Sequence, residues 1–257
     1  MKYFTRDEVE RIGRAGVRSE QHPDGILCRI MSSCWLWCES DDKAFTPWMK
    51  SDGFWEAWIT KWMSEQFDGV DRFIDVGANV GYYTMLAAAS NVPNVAAIEP
   101  NPRVRGLLEK SLDTNRFSDV SVIENAMSNR SGKGNIVIPL GHSGGAYVGI
   151  GEPDMESVAI SISTLDKEFS DVSDEKILIK IDAEGLEPKI WAGMKKLRER
   201  NDVITILEWD GRRYDGKKFA EDLYTNSVYL VDYDGSEVPL EESRLLSMTG
   251  LHMVVVR

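Results

Sequence analysis

The chain has 257 residues, and 30 lysines and arginines stand against 42 aspartates and glutamates, giving a formal charge of −12. At 42% hydrophobic and 28% charged residues it can bury a sizeable core, which excludes disorder as the main state. Its negative field repels phosphate backbones and anionic lipid surfaces, and no local basic patch offsets it, so nucleic acid is not an expected partner and small neutral or cationic ligands fit better.

The opening MKYFTRDEVERIGR is charged from its second residue and lacks the apolar centre of a secretory signal. No later stretch approaches the ~18 apolar residues of a membrane span, so a soluble, cytoplasmic protein is expected. Cys28, Cys34 and Cys38 lack the paired spacing of a zinc site and read as core thiols. Six of the eight tryptophans (Trp35, Trp37, Trp48, Trp55, Trp58 and Trp62) fall within residues 1–70, which are read as an N-terminal appendage to a unit spanning 71–257. Within it ILCRIMSSCWLWC reads as short strands. Phe54, Trp58 and Trp62 at i, i+4 and i+8 trace the apolar face of a helix, either docked over a core or forming part of a substrate cap.

From Asp71 onward, short runs rich in β-branched residues alternate with amphipathic stretches, the pattern of a parallel sheet with crossover helices. RFIDV, VAAIE, VSVIENA, ILIKID and VITILEW are the five expected parallel strands. NIVIPL and SVAISI, separated by a glycine-rich loop over 141–151, read as an inserted antiparallel pair. LEPKIWAGMKKLRER reads as one helix, and VYLVDYDGSEV and LHMVVVR as two closing strands. Lys180 is conspicuous because it interrupts the apolar run of the fourth strand just before Asp182.

FIDVGANVGYYT carries the strongest local signal. A strand ends at Val76, Gly77 and Gly81 bracket a tight turn, and a helix follows directly, so backbone can approach a ligand and free N–H groups can point at it. Asp75 at the strand end could accept from a ligand ammonium, and Glu99, closing the second strand, stands where an acid accepts from ribose hydroxyls. A dinucleotide fingerprint would place its middle glycine where Asn79 stands. That weakens a nicotinamide reading and suits a nucleoside bearing an amino acid, such as S-adenosylmethionine.

These strings, with AIEPNP, ENAMSN, STLD, LIKIDAEGLEPKIWAGM and VITILEWD in that order, resemble the FkbM family of S-adenosylmethionine-dependent methyltransferases from about Phe54 to about Asp210. The resemblance implies an α/β, Rossmann-like class I methyltransferase: a mostly parallel seven-stranded sheet whose last strand is antiparallel, with helices on both faces. It also implies O-methylation of a hydroxyl on a sugar, glycolipid or similar small molecule. Carried over by position, Asp75, Gly77, Ala78, Asn79 and Gly81 would hold the methionine end of the cofactor and Glu99 the ribose. Asn101 would border the adenosine, Asn125 the adenine edge, and Asp182 the sulfonium and the acceptor oxygen.

Methyl transfer to an alcohol needs an in-line approach and a proton acceptor. Asp182 is the leading base, flanked by Lys180 and Glu184, with His142 of the loop GHSGGAY as a second candidate. KIDAEGLE is alternatively a structural turn in which Glu184 or Glu187 caps the next helix. Asp182, Glu208 and Asp210 at neighbouring strand ends leave Mg²⁺ open as a further cofactor. The rival functions are a nicotinamide-dependent oxidoreductase and a non-catalytic adapter that uses the tryptophan-rich segment to bind a partner. Homo-oligomerisation through that segment stays open.

Overall fold

The computed structural model describes residue 3 and residues 5–139, 141–151 and 155–257. Leu140, the end of the expected strand NIVIPL, lies outside them. The N-terminal segment forms α1 (Arg6–Ala15), an antiparallel sheet of β1 (Ser19–His22), β2 (Gly25–Ile30) and β3 (Cys34–Cys38), and then α2 (Thr46–Ser51) and α3 (Ala57–Gln66). α1 buries only Val9 and Gly13, which is why apolar spacing gave no sign of it. α3 starts at Ala57 and not at Phe54. Glu56 takes a left-handed conformation (φ 41°, ψ 73°) that a helix interior does not accommodate, so Phe54 and Trp55 leave the expected face.

The remaining chain begins with β4 (Arg72–Val76), α4 (Tyr82–Ala89), β5 (Asn94–Ile98), α5 (Pro102–Asn115) and β6 (Val120–Ile123). β7 (Ala126–Met127), β8 (Gly132–Ile138), β9 (Tyr147–Val148) and β10 (Glu156–Ser163) form a small separate sheet in which β8 and β10 make the expected antiparallel pair. α6 (Leu165–Glu168) leads to β11 (Lys176–Ile181), α7 (Glu187–Ala192), α8 (Lys195–Arg200) and β12 (Asp202–Trp209). α9 (Gly216–Leu223), β13 (Val228–Val231), β14 (Glu237–Pro239), α10 (Glu242–Ser247) and β15 (His252–Val256) close it.

The large sheet is mixed, in the order β14-β13-β15-β12-β11-β4-β5-β6. β6, β5, β4, β11 and β12 run parallel, and β15 is antiparallel to both of its neighbours. It has eight strands where seven were expected, because VYLVDYDGSEV is not one strand but a hairpin that turns at Asp232–Gly235 and adds β14 at the edge. The helix expected over LEPKIWAGMKKLRER is likewise two helices, divided at Gly193, where a Cβ would collide with the Ser128 carbonyl of the neighbouring loop.

Strand alternation sends Ile74, Val76, Ile179 and Ile181 to one face and Phe73 and Leu178 to the other. Residues of the N-terminal segment cover that second face: Ile26, Leu36, Met49 and Trp62 belong to the same apolar cluster as Phe73, Leu86, Leu108 and Val255. The supposed appendage therefore shares its core with the sheet. α5 covers the outer edge of β3, its Asn115 Oδ1 and Ser111 Oγ accepting the N–H groups of Trp35 and Trp37 at 2.9 Å each. The three cysteines are buried and unpaired, as expected of core thiols. Leu36→Ala, at a fully buried position in β3, is expected to cost about 2–5 kcal/mol. Urea unfolding measures this, and a loss well under 1 kcal/mol would show the segment to be loosely attached.

Candidate active site

Register brings the chemistry to one edge. Val76, Ile98, Ile181 and Leu207 stand level across β4, β5, β11 and β12, so the next residues, Gly77, Glu99, Asp182 and Glu208, emerge together at the carboxyl end of the sheet. One step earlier, Asp75 and Lys180 are direct neighbours across β4 and β11. They lie on the face that the N-terminal segment covers. A cavity of about 310 Å³ opens there, walled by these strand ends, Phe45 and Trp55, the first turn of α4 and the 142–148 loop.

The β4–α4 loop is tied inward. The N–H groups of Gly77 and Ala78 both donate to the Ile98 carbonyl, and that of Gly81 to Ala78. The Asn79 N–H donates to Glu99 Oε2 at 2.7 Å, and the Asn101 N–H to Glu99 Oε1 at 2.8 Å. The free N–H cradle expected from the sequence is therefore absent at these four positions, and with it the place a pyrophosphate would need. Gly77 (φ +77°) has no room for a Cβ, which would collide with the Asp182 carbonyl, and the same is true of Gly81 against Leu108. Gly81 thus answers to packing, and it is not on the cavity wall, whereas Asp75, Gly77, Ala78, Asn79 and Glu99 are.

Lys180 is 3% exposed, a buried cation in an apolar strand. Its Nζ lies 3.1 Å from Asp182 Oδ2, 4.0 Å from Asp75 Oδ1 and 5.5 Å from the centre of the Tyr83 ring. Burial alone would lower its pKa, but the carboxylates of Asp182 and Asp75 more than offset this and hold it above the ordinary lysine value. Asp75 is itself buried; burial pushes its pKa up, while Lys180 and the Thr84 hydroxyl, which donates to Oδ2 at 2.7 Å, pull it down. Asp182 remains about a third exposed and lines the cavity.

Two charged groups on the wall escaped the sequence analysis. Glu56, half-buried, accepts from Tyr83 Oη at 3.1 Å. Burial first, and then the Asp182 charge, pushes its carboxyl up to about 7. Arg213 donates to Glu184 Oε2 at 2.7 Å and Glu208 Oε2 at 2.8 Å, binding two acids that burial pushes up to about 7 and about 8. The signals were faint: Glu56 is the lone acid of the aromatic run FWEAWIT, and Arg213 follows two acidic residues in EWDGRR.

Other expectations are corrected by position. Asn101 Oδ1 accepts from the Arg103 N–H and caps α5, and Asn125 Nδ2 donates to Glu168 at 3.2 Å; neither lines the cavity. Glu187, and not Glu184, secures the turn before α7, accepting from the N–H groups of Ala183 and Gly185. His142 reaches the cavity wall on an exposed loop. The three carboxylates considered for Mg²⁺ do not converge. Asp210 turns to Arg212 at 2.7 Å, which holds its pKa down at about 2, and Glu208 is held by Arg213. Among the described residues no three acidic, histidine or cysteine side chains form a metal-holding group.

The family model for the FkbM methyltransferase domain matches residues 75–234, more than half of the chain. The chain belongs to the FkbM methyltransferase family. No curated protein matches it. Solved structures with a similar fold include a precorrin-6y C5,15-methyltransferase from Geobacter metallireducens GS-15, at 12% identity over 80% of this chain and 89% of that one, with a TM-score of 0.44. A ribosomal protein L11 methylase from Lactobacillus delbrueckii subsp. bulgaricus follows at 11% identity, 78% and 77% coverage, and a TM-score of 0.43. An rRNA methylase from Streptococcus thermophilus shows 10% identity, 77% and 92% coverage, and a TM-score of 0.41.

The FkbM methyltransferases depend on S-adenosylmethionine, and this cavity fits that cofactor. Six carboxylates and two side-chain cations stand among the described wall residues, a balance that favours a cationic ligand. Asn79 Oδ1 and Asp75 Oδ1 are buried on the wall without a hydrogen-bond donor. Among the described residues no helix is long and apolar enough to cross a membrane.

The crowding of acids has a measurable consequence. The Glu99 carboxyl is pushed up to about 7 by burial, partly countered by the N–H groups of Asn101 and Asn79. With Glu56, Glu184 and Glu208 also raised, the folded chain binds more protons than the unfolded one between about pH 4.5 and 8, so stability falls as pH rises through that window. Glu99 alone accounts for on the order of 3 kcal/mol. The ligand-free protein is expected to melt several degrees higher at pH 6 than at pH 8, and a lower melting point at pH 6 would contradict this account.

Proposed function

We propose that this FkbM-family protein transfers a methyl group from S-adenosylmethionine to a hydroxyl of a sugar, glycolipid or similar hydroxylated small molecule. The observation that carries the reading is Asp182, partly exposed on the cavity wall, level with Glu99 across the sheet edge and oriented by buried Lys180. When bound, S-adenosylmethionine would supply an electrophilic methyl whose carbon the acceptor oxygen attacks in line with the C–S bond, with S-adenosylhomocysteine as the leaving group. Glu99 accepts from the ribose hydroxyls through oxygens already fixed by two backbone N–H groups, and Asn79 faces the amino-acid end.

Asp182 stands where the acceptor hydroxyl would approach and takes its proton, while Lys180 fixes the carboxylate and stabilises its charge. Trp55 and Phe45, 5.1 Å apart between ring centres, offer the apolar planes on which a sugar ring stacks, so the N-terminal segment shapes the acceptor side. His142 on the loop over the cavity is the alternative proton acceptor. Glu184, joined to Glu208 through Arg213, is part of the cavity wall.

The test is direct: a metabolite extract is incubated with the protein and methyl-labelled cofactor, and the products are resolved by mass spectrometry. A labelled glycan or glycolipid whose label sits on oxygen is expected. Label confined to nitrogen or to protein would overturn the acceptor class.

A further inference from the structure

Glu56 stands apart from the chemistry so far assigned. Its backbone is left-handed (φ 41°, ψ 73°), a conformation that a residue with a side chain adopts at a cost. The neighbouring structure enforces it. The Thr60 N–H donates to the Glu56 carbonyl at 2.9 Å, Thr60 Oγ1 donates to the Trp55 carbonyl at 2.7 Å, and the same hydroxyl meets Tyr82 Oη at 3.0 Å. The result is a carboxylate on the cavity wall with Tyr83 Oη as its hydrogen-bond donor and, among the described residues, no cation within ion-pair distance. Lys180, whose charge reaches Glu56, is already taken by Asp182 and Asp75.

A half-buried acid without an ion-pair partner, near a second acid and sharing its one nearby cation with two others, is a site short of positive charge. Asp75 was the sequence's candidate for receiving a ligand ammonium, yet it is 1% exposed, with one oxygen taken by Thr84 and the other turned toward Lys180. Tyr83 and Thr84 are consecutive residues on the first turn of α4, so the Tyr83–Glu56 bond places a second, more accessible carboxylate next to the Asp75 position. Asp75 Oδ1, buried on the same wall, has Lys180 no nearer than 4.0 Å and no hydrogen-bond donor, so this part of the cavity has room for a further donor.

We propose that Glu56 receives the α-ammonium of the cofactor's amino-acid end. The assignment rests on the cofactor reading above. An amino group on the acceptor is the other source of the same chemistry, and the experiment separates the two.

Calorimetric titration of the full chain compares S-adenosylhomocysteine, which carries the ammonium, with 5′-methylthioadenosine, which lacks the whole amino-acid end. Glu56→Gln keeps the shape and can still accept from Tyr83 Oη, so the apo melting temperature at pH 8 should stay level or rise, which checks the fold. Glu56→Gln is expected to weaken S-adenosylhomocysteine ten-fold or more and 5′-methylthioadenosine less than two-fold. Equal weakening of both ligands, or of neither, overturns the proposal. Unchanged S-adenosylhomocysteine affinity together with lost D-glucosamine binding to the S-adenosylhomocysteine-saturated protein moves the ammonium to the acceptor and also overturns it. If the unmodified chain binds neither nucleoside, the cofactor reading itself fails.

Discussion

Glu99→Ala is expected to raise the dissociation constant for S-adenosylhomocysteine by about 10- to 100-fold, the loss of a charged acceptor worth roughly 1.5–3 kcal/mol. The structure adds a second reason to the one legible in the sequence. Both Glu99 oxygens also hold backbone N–H groups, those of Asn79 and Asn101, so the alanine variant loses the brace of the β4–α4 loop together with the ribose partner. Glu99→Gln removes the charge and keeps part of the brace, because its one acceptor oxygen can still satisfy one of the two N–H groups, so it is expected to fall between the wild type and the alanine variant. Calorimetry reads both variants, and an unchanged affinity for the alanine variant would remove Glu99 from the cofactor site.

Asp182→Asn is the second large effect. As the proton acceptor for methyl transfer its contribution is typically ~10²- to 10⁴-fold in turnover, with cofactor affinity changing far less. The variant keeps the side chain's shape, but it leaves Lys180 with Asp75 as its remaining carboxylate partner at 4.0 Å. Turnover is measured by S-adenosylhomocysteine release with the unmethylated form of the acceptor that the extract experiment identifies. Near-normal turnover would pass the proton to His142, and His142→Gln would then be the variant that loses turnover.

Much of the sheet was readable because its strands are short apolar runs whose alternation and ends are local properties. Lys180 was conspicuous for the same reason: one charge in ILIKI has few explanations, and the structure supplies one in Asp75 and Asp182. What escaped depended on partners distant in sequence. Glu56 gains its meaning from Tyr83, 27 residues on, and the break between α7 and α8 from a carbonyl of another loop. Asn101 and Asn125 show the opposite case. Both stand beside strand ends, where position by resemblance suggested ligand contacts, yet one caps a helix and the other bonds to α6. The tryptophan-rich segment was set apart because composition divides the chain more sharply than packing does.

The bond from Trp62 Nε1 to Glu237, at 2.8 Å, joins residues 175 positions apart. On a ribosome adding roughly 5–20 residues per second, that separation takes on the order of 10–35 s to synthesise. Through that interval the most aromatic stretch of the chain is already outside the exit tunnel while the strand pair that completes its cover is still unmade. Its folding is therefore tied to the synthesis of that strand pair, and recombinant yield should respond more to holding chaperones and slower growth than to any change at the catalytic edge.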